Sequence, residues 1–517
     1  MTKTEAAATT PAGAAPPATA APGPGRGGGT ASGQAAPRRN KKQEIAVDYS
    51  KLPKPGPVPK FTLPPVERRT LSNGLQVLVV QHHELPIVNL NLVMKMGAAG
   101  DPAGQAGLAS LTADMMDEGT ATRSSLQISD QLSSIGAFLG LNAGWDSSTA
   151  NLTTLKRHLD EALAIYADVI TNPSFPDKEF TRLVATRMGA FRQRRDNPEQ
   201  IASVVYSSLL YGPNHPYGHP LTGNEESLRA ITNADVRKFY ETYFRPNNSA
   251  LVVVGDTTPD EIVPKLEAAF AKWQQAHVPA VDVSAAPLER DRTTIYLVDR
   301  PGSAQSVIQV GQVGVPRSNP DYFPLLVMNT MLGGQFTSRI NLNLREDKGF
   351  TYGARSLFEF RRGAGPFTAS APVFTDVTGP SVVELLKELR GIRGEIPVTP
   401  AELEYAKQAI IRGFPRTFET PAQIADRLET LVTYDLPDTY FNSYIERVQA
   451  VTLDDINRVA RQYLNPDHMA IVIVGDRQRI EPSLRSLKNL GDHISFVDAE
   501  GKPAERGGAG GGGGERQ

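Results

Sequence analysis

The chain has 517 residues, of which 21% are Asp, Glu, Lys or Arg, with a formal net charge of -2 and no cysteine. That length allows about three ordinary domains and a large buried core. The charge balance offers no global attraction to nucleic acid or anionic membrane, and the lack of cysteine removes disulfides, Cys-ligated metals and a thiol nucleophile together.

No run approaches the roughly 20 apolar residues of a membrane-spanning helix, and the polar sequence after Met1 lacks the apolar core of a secretory signal. Residues 1–65 read as an N-terminal tail. Up to about residue 47 it is Ala/Pro/Gly/Thr-rich, ending in the basic cluster Arg38-Arg39-Asn40-Lys41-Lys42. Such composition buries too little apolar surface to offset chain entropy, so disorder is expected. The Pro-rich stretch 48–65 is expected to run extended along the first domain or a partner.

A first domain, 66–278, opens on the β-like run Gly74 to Val80, with further strands at 87–95, 137–143, 147–153 and 249–254. Helical spacing falls at 104–117, 126–135, 155–171, 177–195, 199–209 and 233–243. Residues 279–292 lack periodicity and read as a linker. A second domain, 293–490, opens on Thr294 to Val298 and carries helical patterns at 321–332, 338–346, 380–393, 400–415, 421–432 and 452–463. Residues 491–517, glycine-rich from Gly507, read as a C-terminal tail. The element order is that of an α+β fold.

The two domains repeat one another. Ile231-Thr232-Asn233-Ala234-Asp235-Val236, Tyr243, Pro246 and Val252 to Asp256 recur 220 residues later as Val451-Thr452-Leu453-Asp454-Asp455-Ile456, Tyr463, Pro466 and Val472 to Asp476. A period this long marks a duplicated domain, since solenoid repeats are far shorter.

The fragment Gly107-Leu108-Ala109-Ser110-Leu111-Thr112-Ala113-Asp114-Met115 resembles Gly-Leu-Ala-His-x-x-Glu-His-Met, the inverted zinc motif of the insulinase and mitochondrial-processing-peptidase family. Other landmarks agree in order over roughly residues 66 to 490. They include Leu71-Ser72-Asn73-Gly74-Leu75, Asn172-Pro173-Ser174-Phe175, Leu332-Gly333-Gly334-Gln335-Phe336, and Leu344-Arg345-Glu346-Asp347-Lys348-Gly349-Phe350-Thr351-Tyr352. The resemblance implies two homologous α/β sandwich-like domains enclosing a cavity that holds an extended peptide.

At the zinc site the resemblance fails. Ser110 and Asp114 stand one turn apart where the two His ligands would be, and Ala113 replaces the general-base Glu. Counting back from Arg195-Asp196-Asn197-Pro198 puts Gly189 and Ala190 at the third ligand, a Glu in the family. A hydroxyl and one carboxylate are a poor tetrahedral zinc set, so no metal is expected on this chain and no independent activity. No His-x-x-Glu-His occurs in either direction; His215 and His219 are four apart but separated by Pro216, and His82-His83-Glu84 reads as a solvated strand end.

Arg345 and Tyr352 are the positions where the resemblance implies substrate contacts, near the zinc of the other domain. A guanidinium offers fixed donors to peptide carbonyls and a phenol can donate to an oxyanion. Read without the resemblance, Arg345 pairs with Glu346 or Asp347 and Tyr352 packs in a strand. Gly333-Gly334 lacks the Lys-Ser/Thr of a phosphate loop and reads as a helix C-cap; Trp145 reads as a buried aromatic.

The resemblance implies a catalytically silent subunit whose homologous partner carries the zinc, in a heterodimer or higher assembly acting on unfolded peptides. A non-enzymatic peptide-binding or structural subunit is the second reading, and a peptidase with another metal site the third. Likeness to exported bacterial pairs points to the periplasm over the cytoplasm.

Overall fold

In the computed structural model, residues 56–58, 61–284, 288 and 290–504 are described. The chain divides into an N-terminal unit, Met1–Pro57, and the unit Val58–Gln517, to which all that follows refers. Within it lie two six-stranded sheets. The first comprises β1 (Glu67–Thr70), β2 (Gln76–Gln81), β3 (Ile87–Met94), β4 (Phe138–Ala143), β5 (Ser148–Leu155) and β6 (Ser249–Gly255), ordered β1-β2-β6-β3-β5-β4. The second comprises β7 (Thr294–Asp299), β8 (Gln305–Val313), β9 (Arg355–Phe358), β10 (Pro366–Phe374), β11 (Ala470–Gly475) and β12 (Ile494–Val497), ordered β12-β7-β11-β8-β10-β9.

The duplication is structural as well as sequential. β6 and β11 are the third strands of their sheets and both end in the Gly-Asp pair of the repeat. The repeated Thr-x-x-Asp pairs are reciprocal helix caps: Thr232 and Asp235 open the helix Asn233–Tyr243, and Thr452 and Asp455 open Leu453–Tyr463. The outermost strands differ, since β1 pairs antiparallel with β2 while β12 pairs parallel with β7.

Both faces of each sheet are covered at its centre, which is why the central strands read as continuous apolar runs. Val77 and Val79 of β2 face the first domain's own helices, packing in one core with Leu163, Tyr166 and Leu266. Leu78 and Val80 face the other way, in a core with Ile424, Leu428 and Leu431. Those three belong to the helix Pro421–Thr433 of the second domain, laid against β3 and β6 of the first. The helix Pro198–Tyr211 reciprocates on β8 and β11, where Ile201, Val205 and Tyr206 pack with Val307, Val472 and Val474. Tyr206 donates from its buried hydroxyl to the Phe367 carbonyl at 2.5 Å.

This exchange of helices fills the space between the sheet centres. The uncovered surface is the outer part of each face, with Phe138 and Asn142 on β4 and Arg355 and Leu357 on β9. β4 and β9 are sheet edges, each paired on one side only.

The boundaries expected for both tails need correction. Residues assigned to the tail 1–65 pack on the second domain: the Phe61 ring lies 4.5 Å from Phe418 and 5.0 Å from Phe414, and the Leu63 amide donates to Asn442. At these residues the Pro-rich segment packs in the aromatic cleft of the second domain, and Leu63 joins a core that also holds Leu78 and Val80 of the first sheet. At the other end, β12 falls inside the expected tail 491–517, and Val497 is buried with the helix Pro198–Tyr211. Residues 1–55 and 505–517 lie outside the described residues. No helix of the described residues is long and apolar enough to cross a membrane.

Candidate functional site

The helix Leu108–Met115 begins abruptly. Gly107, at φ 93°, turns the chain, and Asp101 accepts the amide protons of Gly107 and Ala109, both at 2.7 Å, so a distant carboxylate replaces the missing side-chain cap. Burial of the Asp101 carboxyl pushes it up to about 7 against the pull of these amides. The expected start at 104 is too early for this reason: Gly104 and Gly107 both hold left-handed conformations.

Leu108, Ala109, Leu111, Thr112, Ala113 and Met115 face the core, which leaves Ser110 and Asp114 on the opposite side, one turn apart. Across from them runs the helix Asp177–Arg194, which presents Arg187. This side chain is 8% exposed, and its Nη2 donates to Ser110 Oγ at 2.9 Å and to Asp114 Oδ2 at 2.7 Å, while Nη1 donates to the Gly107 carbonyl at 3.3 Å. Arg182, earlier on the same helix, pairs with Glu118 and with Glu179, the latter at 2.6 Å. Asp117 beside them is pushed up to about 7, chiefly by burial and then by Glu118.

The four positions expected to correspond to the zinc machinery thus fall on two facing helices. Ser110 and Asp114 are brought together through Arg187. Ala113 is buried at 1% exposure and has no polar atom to offer, and Ala190 is exposed one turn beyond Arg187. These side chains do not fit a zinc ion: the donors are one hydroxyl and one carboxylate, and a guanidinium holds both. Arg187 was not anticipated from sequence. The available signal was a basic residue three positions before Ala190, on the same helical face.

Arg345 and Tyr352 lie apart from this cluster, with no hydrogen bond, ion pair or ring contact to it among the described residues. Arg345 sits in the π-helical turn Leu342–Asp347. Asn343 of that turn is anchored by donating to Glu388 at 2.6 Å and Glu384 at 2.9 Å. The Arg345 guanidinium pairs with Glu346 at 3.2 Å and lies 4.5 Å from the Phe336 ring centroid. Tyr352 is 78% exposed and packs edge-on against Phe374 at 6.1 Å. The next residues, Gly353, Ala354 and Arg355, line a groove of about 330 Å³ with Gln309, Ser370 and Glu199.

The remaining candidates are structural. His215 and His219 belong to an aromatic cluster in the loop after the helix Pro198–Tyr211: His215 stacks near Tyr211, and His219 near Trp145. Burial holds His219 below its ordinary range. His83 pairs with Asp256 at 2.7 Å. Gly333 ends the helix Tyr322–Leu332, and a Cβ there would stand 2.2 Å from the Ser356 amide nitrogen, so the backbones approach too closely for any side chain. Trp145 is partly buried, with the Arg361 guanidinium 4.2 Å above it. Among the described residues, no three His, Asp or Glu side chains are grouped as a metal ion requires.

Two duplicated α+β domains and a motif helix in which Ser110, Ala113 and Asp114 stand at the zinc-site positions define a member of a two-domain metallopeptidase class. The chain belongs to peptidase family M16: the family model "Insulinase (Peptidase family M16)" matches residues 76–209 and "Peptidase M16 inactive domain" matches 230–410. It is similar to YmxG of Bacillus subtilis, described as an uncharacterized zinc protease, with 22% identity over 79% of this chain and 98% of that one. A Helicobacter pylori relative, described as the non-peptidase homolog YmxG, is 22% identical over 78% of this chain and 92% of its own. The crystal structure of a peptidase M16 inactive domain from Pseudomonas fluorescens superimposes with a TM-score of 0.74 at 26% identity, covering 79% of this chain and 98% of that one.

Proposed function

We propose that this chain is the zinc-free, catalytically silent subunit of a heteromeric zinc endopeptidase, supplying Arg345 and Tyr352 to peptide bound beside a homologous subunit that carries the metal. The observation that carries this reading is the presentation of Tyr352. A phenol left 78% exposed on an aromatic contact, next in sequence to residues that line a groove of about 330 Å³, supports a contact with bound peptide.

In that role Arg345, on a turn anchored through Asn343, would donate to carbonyl oxygens of the substrate backbone. Tyr352 would donate to the oxyanion of the tetrahedral intermediate formed at the partner's site. The open edges of β4 and β9 suit an unfolded peptide held by strand addition.

The test is reconstitution with a homologous zinc subunit and the double variant Arg345→Ala, Tyr352→Phe. A loss on the order of 100-fold in kcat/KM with unchanged zinc content is expected, the size of a lost oxyanion donor. Cleavage equal to that of the natural pair would sink the proposal. A second reading, a peptide-binding or structural subunit with no part in catalysis, is favoured by the description of the Helicobacter pylori relative as a non-peptidase homolog. It predicts peptide binding without any change in a partner's turnover.

A further inference from the structure

The ligands expected at the zinc position are missing, yet the position is not vacant. We infer that the Arg187 guanidinium is a tethered replacement for the metal ion, doing its cross-linking work and, independently of the lost ligands, keeping zinc out. This rests on the geometry of the two helices and stands whether or not Arg345 and Tyr352 act on substrate.

A zinc ion in this fold would join two side chains one turn apart on one helix to a third on the facing helix. Arg187 makes the same join. A single nitrogen, Nη2, reaches both Ser110 Oγ and Asp114 Oδ2, at 2.9 and 2.7 Å. It comes from the helix that also carries Ala190, one turn away. The charges match as well, since one guanidinium neutralises the one carboxylate that remains, whereas a divalent ion would be left with a single anionic donor.

The substitution extends beyond one residue. Arg182 bridges Glu118 and Glu179, so two arginines of the helix Asp177–Arg194 stitch it to the segment that begins with the motif helix. Nη1 of Arg187 also takes the Gly107 carbonyl, tying down the turn that starts the motif helix. A buried guanidinium so placed fills the space between the two positions and engages both of their oxygens, so a second cation brought there would have to displace it.

The test restores the ligands and asks whether Arg187 still blocks the ion. One variant carries Ser110→His, Ala113→Glu, Asp114→His and Ala190→Glu with Arg187 retained; a second adds Arg187→Ala. Zinc binding is read by calorimetric titration and by metal analysis after dialysis, with circular dichroism to confirm folding. Stoichiometric zinc is expected only in the second variant, with affinity on the order of 100-fold or more above the first, because two charges about 4 Å apart repel strongly even at high effective dielectric. Equal affinity in the two variants would overturn the inference, and so would failure of the folded second variant to bind zinc.

Single variants of the natural chain test the cross-link separately. Arg187→Ala should melt several degrees lower. Arg187→Lys should recover only part of the loss, since an ammonium lacks the planar fork that makes the three contacts. A melting temperature unchanged in Arg187→Ala would overturn the cross-linking role.

Discussion

Leu428 sits on the helix Pro421–Thr433, fully buried among second-domain residues yet packed in the core that includes Leu78, Val80 and Val252 of the first sheet. Leu428→Ala removes three carbon groups from a site with no solvent access. The transfer component is roughly 2.4 kcal/mol at about 0.8 kcal/mol per group. The residual cavity raises the total to about 3–4 kcal/mol, within the range of buried Leu→Ala changes. Because the side chain belongs to the second domain and packs in a core shared with the first sheet, the loss should fall on both. Urea unfolding followed by the fluorescence of Trp145 and Trp273, both packed in or against the first domain's core, and by circular dichroism of the whole chain should give one transition that shifts as a unit at unchanged m-value. Two separated transitions, with the first-domain signal unmoved by the substitution, would refute the reasoning that exchanged helices make the two domains one cooperative body.

Other consequences are local. Glu429, also on that helix, is pushed up to about 7 by burial and by Asp426. A carboxyl raised in the folded state favours folding while protonated and loses that contribution as pH rises toward 7, so Glu429→Gln should stabilise little near pH 4, progressively more up to about pH 7, and no further above it; pH-dependent melting checks this. Phe61→Ala should cost about 1–3 kcal/mol, since the ring is only partly buried against Phe414 and Phe418, with a fall in melting temperature as the readout. Gly107→Ala combines a φ of 93° with a Cβ placed 2.5 Å from the Thr222 carbonyl oxygen, so a loss of more than about 1 kcal/mol is expected by denaturant titration.

The duplication was legible because its markers are local chemistry: a Thr-x-x-Asp cap and a strand ending in Gly-Asp depend on neighbours within a few residues. The erased zinc motif was legible for the same reason. The helices Pro259–Phe270 and Arg477–Arg485 are hidden in the sequence, each interrupted by an internal proline, Pro264 and Pro482, that breaks the pattern while leaving the first turns intact. β12 and the Phe61 segment read as tails in the sequence because their burial depends on surfaces hundreds of residues away in sequence. Arg187 was missed on the same ground. Ser110 and Arg187 are 77 residues apart, and only the approach of two helices turns a hydroxyl, a carboxylate and a guanidinium into one unit.

Zinc content of the purified natural chain tests most directly the claim that this M16 member has exchanged its metal for a side chain. Metal analysis after dialysis, run alongside a peptide-cleavage assay with and without chelator, should find zinc far below one per chain and no turnover for a chelator to stop. One tightly held zinc per chain, with hydrolysis that the chelator abolishes, would contradict the account.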